Sequence, residues 1–252
     1  MLKTLIRKAL DHRGLKIINT RRHYDEDGLF TIHNDHFRRD PAFKAAYQRG
    51  VEANNNLDPH FEWRLHVALW AASSALGAAG DFVECGVNTG FMSSAIMAGL
   101  DWGLVARRFY LIDTFARPVM SQFSADEVRD GRRKLAEDYM AAGAYETDLA
   151  RVRANFSEWP NAVVVEGSVP DVLPKVNTTS VAFLHIDMNC AYPERAALEY
   201  FWERLSPGAF VLLDDYAYHG FENQADAIDT LGRSLGFSVL SLPTGQGLIV
   251  KR

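Results

Sequence analysis

The sequence predicts an α/β fold: a mostly parallel seven-stranded sheet with helices on both faces and an antiparallel last strand. Three observations lead there. From Asp81 onward, short apolar runs of strand character alternate with segments of helical spacing, the pattern of a sheet covered on both sides. Several of those runs end on an acidic residue: Glu84, Asp113, Asp187 and the Asp214-Asp215 pair. The last two runs are joined only by Pro243-Thr244-Gly245-Gln246, too short for a parallel crossover, so the final strand must turn back antiparallel. A length of 252 residues suits one large α/β domain or such a domain with an extension.

Residues 1–60 show no repeating core pattern. Their histidines, Asn54-Asn55-Asn56, Asp58-Pro59 and mixed charges suggest short helices and loops. The run from Met1 to Leu10 is broken by Arg7 and Lys8 and has no small-residue cleavage site after it, so an amphipathic helix suits it better than a leader. We therefore divide the chain into an extension, 1–60, expected to act as an acceptor lid or an oligomer contact, and a main domain, 61–252. That domain opens with a helix, because Phe61, Leu65, Leu69, Ala72 and Leu76 recur at helical spacing.

The remaining elements follow in order. A strand over 81–85 leads into a helix over 91–99, then a strand over 108–112 that ends on Asp113. A charged insertion contains a helix over 124–142, where Ser124 and Glu127 have capping-box spacing. Another helix covers 146–156, and strands cover 162–166 and 181–186. A helix over 193–205 has proline in its first turn. A strand over 209–213, a helix over 223–236 and two short strands near 237–242 and 247–251 complete the chain.

Composition narrows the function. An apolar fraction of 48% with 23% charged residues is ordinary for a globular protein. The net charge of −5 provides no basic surplus for nucleic-acid binding. The apolar stretch 67–79 is too short to span a bilayer. Cys85 and Cys190 have no metal-ligating companions nearby and form no disulfide framework. A cytoplasmic protein is the expectation.

The loop after the first sheet strand is the most informative segment. Its Glu84-x-Gly86-x-x-x-Gly90 spacing brings backbone close to a nucleoside: Gly86 removes an obstructing side chain and Gly90 permits a tight turn into the helix. In open α/β sheets the ligand binds at the carboxyl ends of the strands. Val87, Asn88 and Thr89 crowd the space where a pyrophosphate would need bare amides. A ligand without phosphate fits better, and S-adenosylmethionine is such a ligand. A turn that needs glycine only for packing is the competing reading.

The acidic strand ends add to this. Asp113 is placed to accept both ribose hydroxyls, as acids one strand beyond a glycine loop do. Thr114 and Phe115 then lie where an adenine would be flanked, and Ser168 lies on the opposite side of that slot. Asp187, Asp214 and Asp215 end adjacent strands, so three carboxylates converge. Such a cluster needs a cation or a proton. Oxygen ligands without cysteine favour magnesium, manganese or calcium, and Asn189 offers a further oxygen. A divalent ion there would hold two substrate hydroxyls and lower the pKa of one. His219, just after the acidic pair, is a candidate general base. His185, inside a strand, reads as a hydrogen-bonded core histidine. For each acid a helix cap is the competing reading.

A parallel sheet closed by an antiparallel hairpin is the Rossmann-like architecture of class I methyltransferases. Asp-Phe-Val-Glu-Cys-Gly-Val at 81–87 resembles the first motif of the macrocin O-methyltransferase family, whose members methylate sugar hydroxyls of antibiotics. Tyr-Leu-Ile-Asp-Thr-Phe at 110–115 and Leu-Ser-Pro-Gly-Ala-Phe-Val-Leu-Leu-Asp-Asp-Tyr at 205–216 resemble its second- and fifth-strand segments. The resemblance implies Glu84 and Gly86 at the methionine moiety, Asp113 at the ribose and Ser168 near the adenine. It also implies Asp187, Asp214 and Asp215 around magnesium, with Asp187 or a nearby histidine assisting deprotonation. After the fourth strand the family's Asp-x-Asp becomes Asp187-Met188-Asn189 here, a departure that marks a divergent branch.

The expected function is thus S-adenosylmethionine-dependent, magnesium-assisted O-methylation of a sugar or small polyol, with catalytic roles for Asp187 and His219. Its partner would be a small-molecule acceptor, without nucleic acid or a membrane span, and residues 1–60 are candidates for pairing between subunits. A non-catalytic cofactor-binding domain and a nicotinamide-dependent oxidoreductase are the alternatives. The crowded loop and missing third glycine count against the second.

Overall fold

The computed structural model describes residues 23–252 together with residues 6, 10 and 12–15. Most of the helix expected over residues 1–10 lies outside the described residues. Seven strands form one sheet in the order β5-β4-β3-β6-β7-β9-β8. These are β3 (Asp81–Cys85), β4 (Phe109–Asp113), β5 (Ala162–Glu166), β6 (Val181–Ile186), β7 (Leu205–Leu213), β8 (Leu240–Ser241) and β9 (Gly247–Val250). β3 pairs in parallel with β4 and β6; β9 runs antiparallel to β8, as the short final link requires, and also to β7.

The central strands are buried on both faces, so they read as continuous apolar runs rather than alternating ones. Alternate residues still face opposite layers. Phe82, Leu111 and Phe183 join one core with Leu65, Ala72 and Ile96, from helices α2 (Glu62–Ala75) and α3 (Phe91–Gly99). Val83, Ile112 and Leu184 join the other with Leu198, Phe201, Ile228 and Leu231, from α7 (Ala191–Trp202) and α8 (Glu222–Leu235).

The insertion after β4 holds two helices where the sequence suggests one. α4 (Ala125–Arg129) and α5 (Arg132–Ala141) are separated at Asp130-Gly131, with Gly131 in the left-handed region at φ 82°. The capping box forms: the Ser124 hydroxyl accepts from Glu127 N at 3.2 Å, and Glu127 Oε2 accepts from Ser124 N at 2.8 Å. The other Glu127 oxygen accepts from Ala191 N at 2.9 Å and so ties the insertion to the start of α7. The following helix, α6, covers Leu149–Asn155.

Before α2 lies more order than the composition suggests. α1 (Pro41–Ala53) is a full helix whose N-cap, Asp40, accepts from Ala42 N and Phe43 N, with Pro41 at its first position. It packs on α3 through Gly50, where a Cβ would lie 2.9 Å from the Phe91 carbonyl oxygen. Ahead of it, β1 (Tyr24–Glu26) and β2 (Leu29–Thr31) form an antiparallel hairpin. Its turn is Asp27-Gly28, both at positive φ, the residues a tight hairpin demands.

Candidate active site

A cleft of about 580 Å³ opens at the carboxyl ends of the parallel strands, where open α/β sheets bind ligands. Among the residues expected from sequence, Glu84, Gly86, Asp113, Thr114, Ser168, Asp187 and Asp214 line it.

The loop after β3 is shaped by its neighbours. Gly86 has φ 95°, and a Cβ there would sit 1.6 Å from the Asp187 carbonyl oxygen. Its missing side chain lets the loops after β3 and β6 touch. Gly90 caps α3 at φ 93°, and a Cβ there would meet the Phe156 ring at 2.6 Å. It serves the turn and the packing beneath it and does not line the cleft, so the competing packing reading describes Gly90 well.

Asp113 organises this turn. Its Oδ2 accepts from Val87 N at 2.8 Å and Asn88 N at 2.9 Å. Its Oδ1 accepts from Phe115 N at 2.8 Å and from the Thr114 hydroxyl at 3.3 Å. Three backbone amides and the Thr114 hydroxyl thus hold the carboxylate in place. Phe115 does not flank the cleft as expected: it is 4% exposed and packs in the core, because its backbone turns inward at φ 45°. Pro118, Val119 and Phe123 of the insertion supply that wall instead. Gln122 closes it by donating to the Ser168 hydroxyl at 3.1 Å and to the Val169 carbonyl at 2.6 Å.

Asn88 has a role that its sequence position does not announce. Its amide donates to the Ala144 carbonyl at 3.0 Å and its carbonyl accepts from Glu146 N at 2.7 Å. The segment between these bonds carries Tyr145, which lines the cleft. Burial and the nearby Asp187 charge push the Tyr145 phenol up to about 12.

At the other end of the cleft the charges are closely packed. Glu84 and His185 are register partners on β3 and β6, and His185 Nδ1 lies 2.9 Å from Glu84 Oε1. His185 is therefore the hydrogen-bonded core histidine expected. Its Nε2 lies 3.6 Å from Asp214 Oδ1. Against the cost of burial, Asp214 and Glu84 push the imidazole up to about 10. Asp214 also accepts from Arg64 at 2.5 Å and from Gln246 Nε2 at 2.9 Å. Against its own burial, Arg64 and His185 hold it well below the usual carboxylate range. Burial and the Asp214 charge push Asp215 up to about 7. Burial, with Asp214 and Asp215 beside it, raises Asp187 well above the ordinary value.

Two expectations meet a different geometry. His219 does not reach the cleft: its side chain is fully exposed and its Nδ1 pairs with Glu222 at 3.2 Å, because the loop after β7 carries it outward. The acids do not form a divalent-ion site as arranged. Among the described residues no group of three or more histidine, cysteine or acidic side chains is placed to hold a metal ion. Both Asp214 oxygens are already engaged, Oδ2 by Arg64 and Oδ1 by Gln246.

Arg64 itself escaped the sequence reading. A signal existed, because Arg64, Ala68, Ala71 and Ala75 share one helical face and all four are buried. A charge on a buried stripe calls for a partner.

The sheet order, the antiparallel last strand and the cleft with acids at its strand ends define a class I methyltransferase fold. Residues 66–231 match the macrocin-O-methyltransferase (TylF) family, and the chain belongs to that family. Similar chains include the 8-demethyl-8-(2,3-dimethoxy-alpha-L-rhamnosyl)-tetracenomycin-C 4'-O-methyltransferase of Streptomyces olivaceus, 33% identical over 149 residues. That match covers 56% of this chain and about half, 54%, of the relative. Among solved structures, the O-methyltransferase NovP superposes with a TM-score of 0.63 at 20% identity, over 75% of this chain and 79% of NovP. The calicheamicin methyltransferase CalS11 superposes with a TM-score of 0.56 at 17% identity, over 93% of this chain and 97% of CalS11. At these identities the structural likeness concerns the fold.

Proposed function

We propose that this chain transfers a methyl group from S-adenosylmethionine to a hydroxyl oxygen of a sugar or small polyol. One observation carries the reading. Glu84 lines the cleft and is 2% exposed, yet its Oε2 has no hydrogen-bond partner while its Oε1 is held by His185. A buried carboxylate oxygen without a partner, on a residue that lines the cleft, suits a cationic ligand group such as the ammonium of a methionine moiety. We assign the ribose to the Asp113-Thr114 turn and the adenine to the wall formed by Val119, Phe123 and Ser168. Family membership supports the reaction class. A sugar-type acceptor is supported by the relative's name, a 4'-O-methyltransferase of a rhamnosyl tetracenomycin.

When bound, S-adenosylmethionine supplies an electrophilic methyl on a sulfonium. The chain's task is to align an acceptor oxygen with it and to take the hydroxyl proton. We assign the proton to Asp187. It lines the cleft, and burial beside Asp214 and Asp215 makes it a stronger base than an ordinary carboxylate. Magnesium assistance by Asp187, Asp214 and Asp215 has the acid spacing and the family resemblance in its favour, but Arg64 and His185 already answer the same charge requirement. No step here runs through a metal.

No helix among the described residues is long and apolar enough to cross a membrane. Cys85 and Cys190 are both buried and free, which suits the reducing cytoplasm we assign. Residues 1–60 we read as the acceptor lid or subunit contact, to be checked by light scattering.

Calorimetry with S-adenosylmethionine and its demethylated product tests the first step, and absence of binding would end the proposal. A panel of glycosylated acceptors tests the second. Asp187→Asn should retain cofactor binding and lose turnover. A wild-type chain that binds cofactor but methylates no member of the panel would point to a binding module instead.

A further inference from the structure

Arg64 is 6% exposed and touches two parts of the chain far apart in sequence. One edge of its guanidinium meets Asp27 in the hairpin turn, Nε to Oδ2 at 2.6 Å and Nη2 to Oδ1 at 3.1 Å. Its Nη1 meets Asp214 Oδ2 at 2.5 Å and lies 3.6 Å from Asp215 Oδ1. The rings of Phe61 and Tyr218 lie 4.8 and 5.1 Å from its central carbon. Beyond Asp214 stand His185 and then Glu84. From the cofactor end of the cleft to the hairpin, acid and base alternate: buried Glu84, His185, Asp214 and Arg64, then part-buried Asp27.

We propose that Arg64 is the resident cation of the acid cluster: it holds the place at Asp214 that a divalent ion would need, positions that carboxylate, and latches the Tyr24–Thr31 hairpin against the carboxyl ends of the sheet.

The planar fork of a guanidinium can grip one carboxylate bidentately and still present a donor to another, which a lysine ammonium does with less geometric definition. A divalent ion binds through carboxylate oxygens; those of Asp214 already accept from Arg64 and Gln246, and the guanidinium charge stands between Asp214 and Asp215. The latch matters because a two-stranded hairpin of this length is not stable alone. Its other anchors are Tyr24, whose hydroxyl lies within donating reach of Glu62 Oε2 at 3.2 Å and the His60 carbonyl at 3.0 Å, and the Tyr218 hydroxyl, which lies against Gly28. Removing Arg64 would leave buried Asp214 and part-buried Asp27 without their counter-charge, so the hairpin would detach as the carboxylate cluster opened.

This deepens the methyl-transfer reading, since the positioned carboxylate lines the same cleft. Its test reads metal and hairpin directly, so it stands or falls separately from cofactor binding and from the choice of acceptor. Electron paramagnetic resonance would follow Mn2+ titrated into the full chain, and limited proteolysis with mass spectrometry would follow cleavage within 24–31. The wild type should bind no stoichiometric Mn2+. Arg64→Ala should gain one Mn2+ site, at least about tenfold tighter than anything in the wild type, and adding Asp187→Asn should abolish it. Hairpin cleavage should quicken about tenfold in Arg64→Ala and in Asp27→Asn, with Arg64→Lys between them and the wild type. Asp27→Asn keeps Arg64 on Asp214 and should gain no Mn2+. It and the wild type decide the matter even where Arg64→Ala fails to fold. One Mn2+ bound by the wild type and lost in Asp187→Asn would overturn the proposal. So would an Arg64→Ala chain that folds without gaining Mn2+, or hairpin cleavage unchanged in Asp27→Asn.

Discussion

His185 Nδ1 lies 2.9 Å from Glu84 Oε1, on register-paired residues of adjacent central strands with both side chains buried. The pair fixes the orientation of a cleft-lining glutamate whose other oxygen is buried without a partner. His185→Phe would fill the same space and leave Glu84 facing an apolar ring. The expected cost is about 3–5 kcal/mol in urea unfolding, because an uncompensated buried charge remains. The pH dependence has a definite sign. With the imidazole raised from 6.5 to about 10, its contribution is fully present below pH 6.5 and declines as pH rises through 10. His185→Gln should lack that alkaline decline.

Gly86→Ala should be among the most damaging single changes. The added methyl would lie 1.6 Å from the Asp187 carbonyl oxygen, at a backbone φ of 95° that alanine rarely adopts. Overlap with backbone cannot be relieved by a rotamer change, so the loops after β3 and β6 must separate. We expect a loss of at least about 3 kcal/mol in thermal unfolding and loss of cofactor binding by calorimetry.

Glu194 offers a second pH test, of the same sign but in a lower window. Burial, with the Asp215 charge, pushes it from 4.5 up to about 8, while its Oε1 accepts from Met188 N and Gln224 Nε2, both at 3.1 Å. The folded chain holds this proton more tightly than the unfolded one, so stability falls as pH rises from 4.5 to 8 and levels off above. Glu194→Gln imitates the protonated acid. Urea midpoints of that variant should lack this part of the slope between pH 5 and 8, and an unaltered slope would contradict the assignment.

Asn88→Gly tests the clamp on Tyr145. Asn88 sits at φ 50°, a conformation glycine accepts without strain, so the substitution isolates the two side-chain hydrogen bonds. At about 0.5–1.5 kcal/mol per bond, the global loss should be roughly 1–3 kcal/mol. Hydrogen exchange should quicken over residues 143–147 and stay unchanged in β3. A variant with intact protection there would show that the segment is held by other contacts.

Legibility differed by element. The strands from β3 to β7 and the direction of β9 could be read because each is a local pattern: an apolar run, a turn, a link too short to cross over. The split at Gly131 and the hairpin at Asp27-Gly28 also had local signals, a left-handed glycine and a hairpin-turn pair, which a reading tuned to core periodicity passes over. The site residues fared unevenly for another reason. Glu84, Asp187 and Asp214 line the cleft because strand ends converge there in any sheet of this order. Whether Phe115 turned inward, or His219 outward, depended on loop dihedrals that no spacing encodes.

By itself the sequence determined the order of the elements, the sheet edge at which the acids gather and the family whose motifs they form. Such properties follow from side-chain periodicity and turn chemistry within a few residues. Only the tertiary structure decided what each acid faces. Asp113 met backbone amides of the neighbouring loop after β3, and Asp214 met an arginine 150 residues away. A charge buried in a low-dielectric interior takes its meaning from whichever opposite charge packing brings within about 3 Å, and that partner is chosen by the fold rather than by its neighbours in the chain.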